Sequence, residues 1–207
     1  MIVLLPVNVT DSRFVSNAAT VAGGAIAFFG PASVSSIIGS YFLRNTANIE
    51  RDWRAKVGSG TADPFDVWTV GNQRATLTNY GGGAVFVQDI ESFKIAGSVF
   101  SKNLAHQGGA IVVKGQTVAS ELSLAGCRLQ ANEANSSGGA VHVNIGGALI
   151  LERNKFRENS AVAGGAIFLA SGSKLSTSLP AGEELYFQNN SAVTGGAINC
   201  HECGKRL

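Results

Sequence analysis

The stretch Phe156-Arg157-Glu158-Asn159-Ser160-Ala161-Val162-Ala163-Gly164-Gly165-Ala166-Ile167 holds two short motifs that decide the fold. One is an aromatic residue with Asn three positions on; the other is Gly-Gly-Ala followed by Ile. Neither stands alone. Gly-Gly-Ala-(Ile/Val) recurs from Gly23-Gly24, Gly82-Gly83, Gly108-Gly109, Gly138-Gly139, Gly164-Gly165 and Gly195-Gly196. The Phe/Leu and Asn pair recurs at Phe14/Asn17, Phe42/Asn45, Phe100/Asn103, Leu129/Asn132, Phe156/Asn159 and Phe187/Asn190. Of these, Phe42/Asn45 has no glycine pair close behind it. Successive glycine pairs lie 59, 26, 30, 26 and 31 residues apart. Self-similarity at such a period marks a repeat architecture, in which each unit buries its apolar face only by stacking on its neighbours.

The motifs sit in a longer pattern. Val7, Val9, Ser12, Phe14 and Asn17 align with Phe93, Ile95, Ser98, Phe100 and Asn103. They align again with Leu122, Leu124, Cys127, Leu129 and Asn132, and with Leu149, Leu151, Asn154, Phe156 and Asn159. Apolar residues two apart, then a small or polar residue, describe short strands joined by bends. After each glycine pair, Val85/Val87, Ile111/Val113, Val141/Val143 and Ile167/Leu169 keep one face apolar. The opposite face, with Phe86/Gln88, Val112/Lys114, His142/Asn144 and Phe168/Ala170, is mixed, so one face is core and the other is open to solvent or a partner. No segment sustains a 3.6-residue period. Gly-Gly suits a bend with positive φ and a close approach between coils, while Asn suits a left-handed bend and a stacked side-chain ladder. The expected fold is all-β: a right-handed, single-stranded parallel β-helix (β-solenoid) of about six to seven coils, continuous over residues 1–207.

Composition agrees with a packed wall. Hydrophobic residues make up 45% and charged residues 14%, which excludes a disordered chain. Net charge is +2 and the basic residues are scattered along the sequence without a run, so nucleic acid is not expected as a partner. Met1–Val7 is apolar but far shorter than the roughly 20 residues that span a bilayer, and it reads as the start of a strand. Both chain ends fall within the array. The chain is therefore expected to belong to a longer polypeptide, with flanking domains capping the solenoid ends.

The recurrent Gly-Gly-Ala-(Ile/Val) and Phe-x-x-Asn motifs resemble the repeats of the polymorphic outer membrane proteins, the chlamydial autotransporters. The resemblance runs from about Val7 to Ile198. It implies a right-handed parallel β-helix displayed outside the cell, on the outer membrane if the source is bacterial, and often adhesive. A non-enzymatic surface scaffold or adhesin follows, binding protein or carbohydrate at a cell surface.

The segment 46–80 breaks the period and reads either as an irregular insertion or as a degenerate coil. It concentrates Trp53, Trp68, Arg54, Asp63 and Asp66, an aromatic and charged mixture typical of contact hot spots, and it is the candidate partner-binding segment. The competing function is a carbohydrate-active enzyme of the right-handed β-helix class, a polysaccharide lyase or glycoside hydrolase. Such chemistry needs clustered carboxylates. In the repeats these occur singly, as at Asp89, Glu133 and Glu158; only Glu50, Asp52, Asp63 and Asp66 are dense enough. No catalytic set and no cofactor site is expected. Cys200-His201-Glu202-Cys203 has metal-like spacing but too few companion ligands for a closed zinc site. Cys127 is expected as a buried free thiol at an inward bend, and His142 as an ordinary surface histidine on the outer face.

Overall fold

The structure, a computed structural model, describes residues 6–30, 35–47, 81–115, 119–179 and 182–201. Within them the chain makes the same four-sided circuit repeatedly. The first coil is β1 (Asn8–Thr10), β2 (Arg13–Val15), β3 (Ala18–Ala19) and β4 (Ile26–Phe29). The second is β5 (Ser35–Ile38), β6 (Tyr41–Leu43), β7 (Thr46–Ala47) and β8 (Val85–Gln88). The third is β9 (Ser92–Ala96), β10 (Val99–Ser101), β11 (Leu104–Gln107) and β12 (Ile111–Lys114); the fourth is β13 (Ser120–Ala125), β14 (Arg128–Gln130), β15 (Glu133–Ser137) and β16 (Val141–Val143). In the fifth, β17 (Gly147–Glu152), β18 (Lys155–Arg157) and β19 (Ile167–Leu169) are accompanied by isolated bridges at Ser160 and Ala163 where the third strand would be. The last is β20 (Lys174–Thr177), β21 (Tyr186–Gln188), isolated bridges at Ser191 and Thr194, and β22 (Ile198–Cys200).

Like strands stack on like. The first face runs β1-β5-β9-β13-β17-β20, the second β2-β6-β10-β14-β18-β21, the third β3-β7-β11-β15 and the fourth β4-β8-β12-β16-β19-β22. Neighbours pair in parallel, and no helix occurs among the described residues. The protein is an all-β parallel β-solenoid whose six stacked coils make about five turns, slightly fewer than the six to seven coils expected. Among the described residues, the interval of 59 between Gly23 and Gly82, about two repeats long in sequence, contributes one coil, β5 to β8. Residues 48–80 lie outside the described residues. The wall is continuous on either side of them: β7 pairs with β3 and β11, and β8 with β4 and β12.

Parallel register turns each repeated residue into a row along the axis. Phe14, Phe42, Phe100, Leu129, Phe156 and Phe187 form the inward row of the second face. The strand spacing imposes face-to-face rings: Phe14–Phe42 lie 4.8 Å apart at 6°, Phe42–Phe100 4.7 Å at 3° and Phe156–Phe187 4.9 Å at 4°. Leu129 divides the stack into two runs. Phe42, Phe100 and Phe156 have no exposed surface. Opposite them the fourth face contributes Val85, Ile111, Val141 and Ile167, and the first face Ile95, Leu124 and Leu151, all in one core cluster.

The two motifs close the corners. Each Asn side chain points inward and bonds along the axis: Asn103 Nδ2 donates to Asn132 Oδ1 at 2.9 Å, and Asn132 Nδ2 to Asn159 Oδ1 at 3.0 Å. Asn132 Nδ2 also donates to the Phe100 carbonyl at 3.0 Å, so the Asn of one coil ties down the Phe backbone of the previous one. The left-handed residue of the bend is not Asn but the one before it: Ser16, Arg44, Lys102, Ala131, Glu158 and Asn189 all have φ between 52 and 56°. Asn is needed inside for the ladder, so its predecessor adopts the unfavourable backbone conformation instead. At the glycine pair the two residues serve different ends. Gly138 has φ +67°, whereas a Cβ on Gly139 would collide with the Gly165 carbonyl of the next coil.

Asn45 corrects the sequence reading of its repeat. A left-handed Asn is expected there, but Arg44 takes that conformation at φ 53°, and Asn45 is fully buried. Its Nδ2 donates to Asn103 Oδ1 at 3.0 Å and to the Phe14 carbonyl at 3.1 Å, while its Oδ1 accepts from Asn17 Nδ2 at 2.9 Å. The pair Phe42/Asn45, which looks isolated for want of glycines close behind, is thus a full rung of both ladders. Its glycine pair is Gly82-Gly83, at the far end of the interval: the Gly24 N–H donates to the Gly82 carbonyl at 3.2 Å, and the Gly83 N–H to that of Gly108 at 3.1 Å. Thr46 and Ala47, which in sequence open the irregular segment, continue from Asn45 as β7.

Candidate functional site

With the repeated residues committed to the wall, the outward positions that alternate with them are the ones left to face solvent or a partner. On the second face the residue before each Phe/Leu forms the row Arg13, Tyr41, Val99, Arg128, Lys155, Tyr186. The residue after it forms the row Val15, Leu43, Ser101, Gln130, Arg157, Gln188. Arg13, Arg128 and Lys155 are exposed, as are Arg44 and Lys102 in the left-handed corner that follows. The Arg13 guanidinium lies 5.4 Å from the centre of the Tyr41 ring, within cation–π range. Six of the ten basic residues among the described positions, Arg13, Arg44, Lys102, Arg128, Lys155 and Arg157, therefore share one side of the solenoid. The signal was present: they are the neighbours of the Phe-x-x-Asn aromatic, visible once the repeats are aligned on that residue.

The other faces carry no such excess. Outward on the first face, Lys94 and Lys174 are offset by Glu121 and Glu152. Glu133 is the outward charge of the third face among the described strands. On the fourth, burial holds the Lys114 amine below its usual range, with the Asp89 carboxylate acting in the opposite direction. Arg153 is occupied, with Nη2 2.7 Å from Glu152 and Nε 2.9 Å from Glu183.

His142 corrects the sequence reading. It occupies an outward position on the fourth face, in the row Ala27, Phe86, Val112, His142, Phe168, Asn199, yet only 3% of its surface is exposed. Phe86 and Val112 in this row are also buried, in a small second cluster with Ala22 and Val21. The His142 ring stacks 5.0 Å from Phe168, and Nδ1 lies 2.9 Å from Ser137 Oγ. Burial pulls its pKa down to about 4, the Ser137 hydrogen bond opposes this, and His106 adds to it.

Cys127 is a free, buried thiol at an inward corner; burial pushes its pKa up to about 11. Asn154 Oδ1 accepts its backbone N–H at 2.9 Å. Cys200, at the end of β22, is disulfide-bonded. Trp53, Arg54, Asp63, Asp66 and Trp68, and the acidic pair Glu50 and Asp52, lie outside the described residues. Asp89 falls at the end of the fourth face, Glu133 on the third and Glu158 at the corner after β18. Among the described residues no group of three His, Cys, Asp or Glu side chains is placed to hold a metal ion.

Fold and surface together define a parallel β-solenoid repeat protein whose recurrent residues are structural and whose outward residues vary from coil to coil. The model of the Chlamydia polymorphic membrane protein repeat matches residues 184–201, the span holding Phe187, Asn190 and Gly195–Ile198. The second half of the last coil is thus similar to the repeats of a membrane-protein family. Neither the curated proteins nor the solved structures give a match.

Proposed function

We propose that this chain is a non-enzymatic repeat domain displayed at a cell surface, where its solenoid acts as scaffold and its outward faces as an adhesive surface for protein or carbohydrate. The observation that carries this reading is the division of labour along each strand. The Phe, Asn and Gly rows are spent on stacking, while outward rows such as Arg13 to Tyr186 change chemistry at nearly every coil. Such a surface suits contact with a partner rather than repeated chemistry. The membrane-protein repeat at residues 184–201 supports an extracellular or outer-membrane setting.

Beads coated with the purified chain should attach saturably to cultured cell monolayers, and soluble chain should compete. The same preparation, incubated with acidic polysaccharides, should release no new reducing or unsaturated ends. Depolymerisation of any of them would replace this reading with the carbohydrate-active enzyme.

A further inference from the structure

We propose that the second face of the solenoid is a binding ladder for a linear acidic polysaccharide, laid along the coil axis; this rests on the surface reading above. Each of the first five coils presents a cation on this face or in the corner that follows it: Arg13, Arg44, Lys102, Arg128, and then Lys155 with Arg157. Parallel pairing spaces these coils by about 4.8 Å, so a cation recurs at each of them, in two parallel rows: Arg13, Arg128 and Lys155 before the Phe/Leu, and Arg44 and Lys102 three residues further on, in the corner. The strands β2, β6, β10, β14, β18 and β21 contain no carboxylate.

On this side, carboxylates occur only in or next to the corners, one of them, Glu158, in the same corner row as Arg44 and Lys102. Asp11 sits in the corner before β2; Glu158, after β18, accepts a hydrogen bond from Gln130 Nε2 at 3.3 Å. Glu152 and Glu183 are held by Arg153, and Glu184 precedes β21. Arg44, Lys102, Arg128 and Lys155 form no ion pair with any described residue. The local field is therefore positive although the chain is nearly neutral.

Charge spacing and neighbours select the polymer. Duplex DNA carries a charge about every 1.7 Å, nearly three times denser than one cation per coil at about 4.8 Å. A polysaccharide with about one anionic group per sugar matches the ladder more closely. Tyr41 and Tyr186 lie in the same outward row as Arg128 and Lys155, offering flat rings for the apolar faces of sugars. Ser101, Gln130 and Gln188, in the adjacent row, supply hydrogen-bonding groups for hydroxyls. Single-stranded nucleic acid would call for stacking platforms at successive positions, and the two tyrosines are four coils apart.

The test is direct binding of the full chain to a fluorescent heparin oligosaccharide across a salt series, with single-stranded DNA of equal charge in parallel. Heparin affinity should fall linearly on a log–log salt plot. Arg128→Glu with Lys155→Glu should weaken binding by about tenfold or more and flatten the slope, because released counterions are lost. Lys94→Glu with Lys174→Glu changes the net charge equally on the first face and should leave affinity within about twofold. Circular dichroism of both double variants confirms the fold. Equal weakening by both pairs, or absence of heparin binding at low salt, overturns the ladder. DNA bound as tightly as heparin, and lost in the same variant, also overturns it in favour of a nucleic-acid surface. Bead attachment to cells that survives Arg128→Glu/Lys155→Glu undiminished sinks the ladder and leaves the surface reading standing. Wild-type beads that bind heparin but not cells support the ladder and sink the surface reading.

Discussion

His142 shows how far one side chain can depart from its strand position. Alternation puts it outside, but contact with Phe168 and Ser137 buries it, and burial keeps it neutral. The thermodynamic consequence has a definite sign. The unfolded chain takes up a proton near pH 6.5 and the folded chain only near pH 4. Stability is therefore fully present above the unfolded value, declines as pH falls through that window, and levels off below the folded value. The loss is at most about 3 kcal/mol. Urea unfolding at pH 7 and pH 4.5 should show it in the wild type and show much less in His142→Phe, which keeps an aromatic next to Phe168. Equal pH dependence in the two proteins would mean that His142 is protonated or exposed in the folded state. Neither burial nor stacking could be read from the sequence, because period-two alternation reports which way a residue points and not what lies over it.

At the scale of the element, the Asn ladder couples coils more tightly than strand pairing alone. Asn132 accepts from the Asn103 backbone and side chain, and donates to Asn159 and to the Phe100 carbonyl. Asn132→Ala strands several of these buried groups at once and should cost about 2–4 kcal/mol, since an unsatisfied buried polar group costs about 1–3 kcal/mol. Asn190, in the last coil, is only partly buried and bonds to Asn159 and the Phe156 carbonyl, so Asn190→Ala should cost distinctly less. Denaturant midpoints of the two variants decide it; equal losses would show that the ladder is not cooperative along the axis. These inward rows were legible in the sequence because one chemistry recurs at each: Phe14 to Phe187, Asn17 to Asn190. The left-handed corner was not. Asn is the usual occupant of that conformation, and nothing local to Asn45 or Asn103 reveals that its side chain is needed inside, passing the strain to Arg44 or Lys102. The basic side was missed for a related reason. Aligning on Phe14, Leu129 and Phe156 already puts Arg13, Arg128 and Lys155 in one row, but a net charge of +2 with no basic run gives no reason to compare the outward positions of that alignment.

For the whole molecule, the decisive fact is that β7 and β8 pair with the strands above and below them while 37 positions of sequence, 48–84, separate the two. Ala47 is in register with Ala105, and Gly83 N–H donates to the Gly108 carbonyl. Removing residues 48–79 would leave Tyr80 and Gly81 between Ala47 and Gly82, matching His106 and Gln107 between Ala105 and Gly108. The shortened chain should therefore keep its β-sheet circular dichroism and a cooperative unfolding transition. Collapse to an unfolded or aggregated chain would show that the omitted residues form part of the wall. Because every coil repeats the same cross-section, length and shape are uncoupled in this molecule. Adding or deleting a coil of 26 to 31 residues shifts everything beyond it by one strand spacing, about 4.8 Å, without remodelling what remains. The solenoid is thus a graduated rod: its length can be increased or decreased in equal steps by exchanging repeats, while each outward-facing row of side chains grows or shrinks by one rung each time.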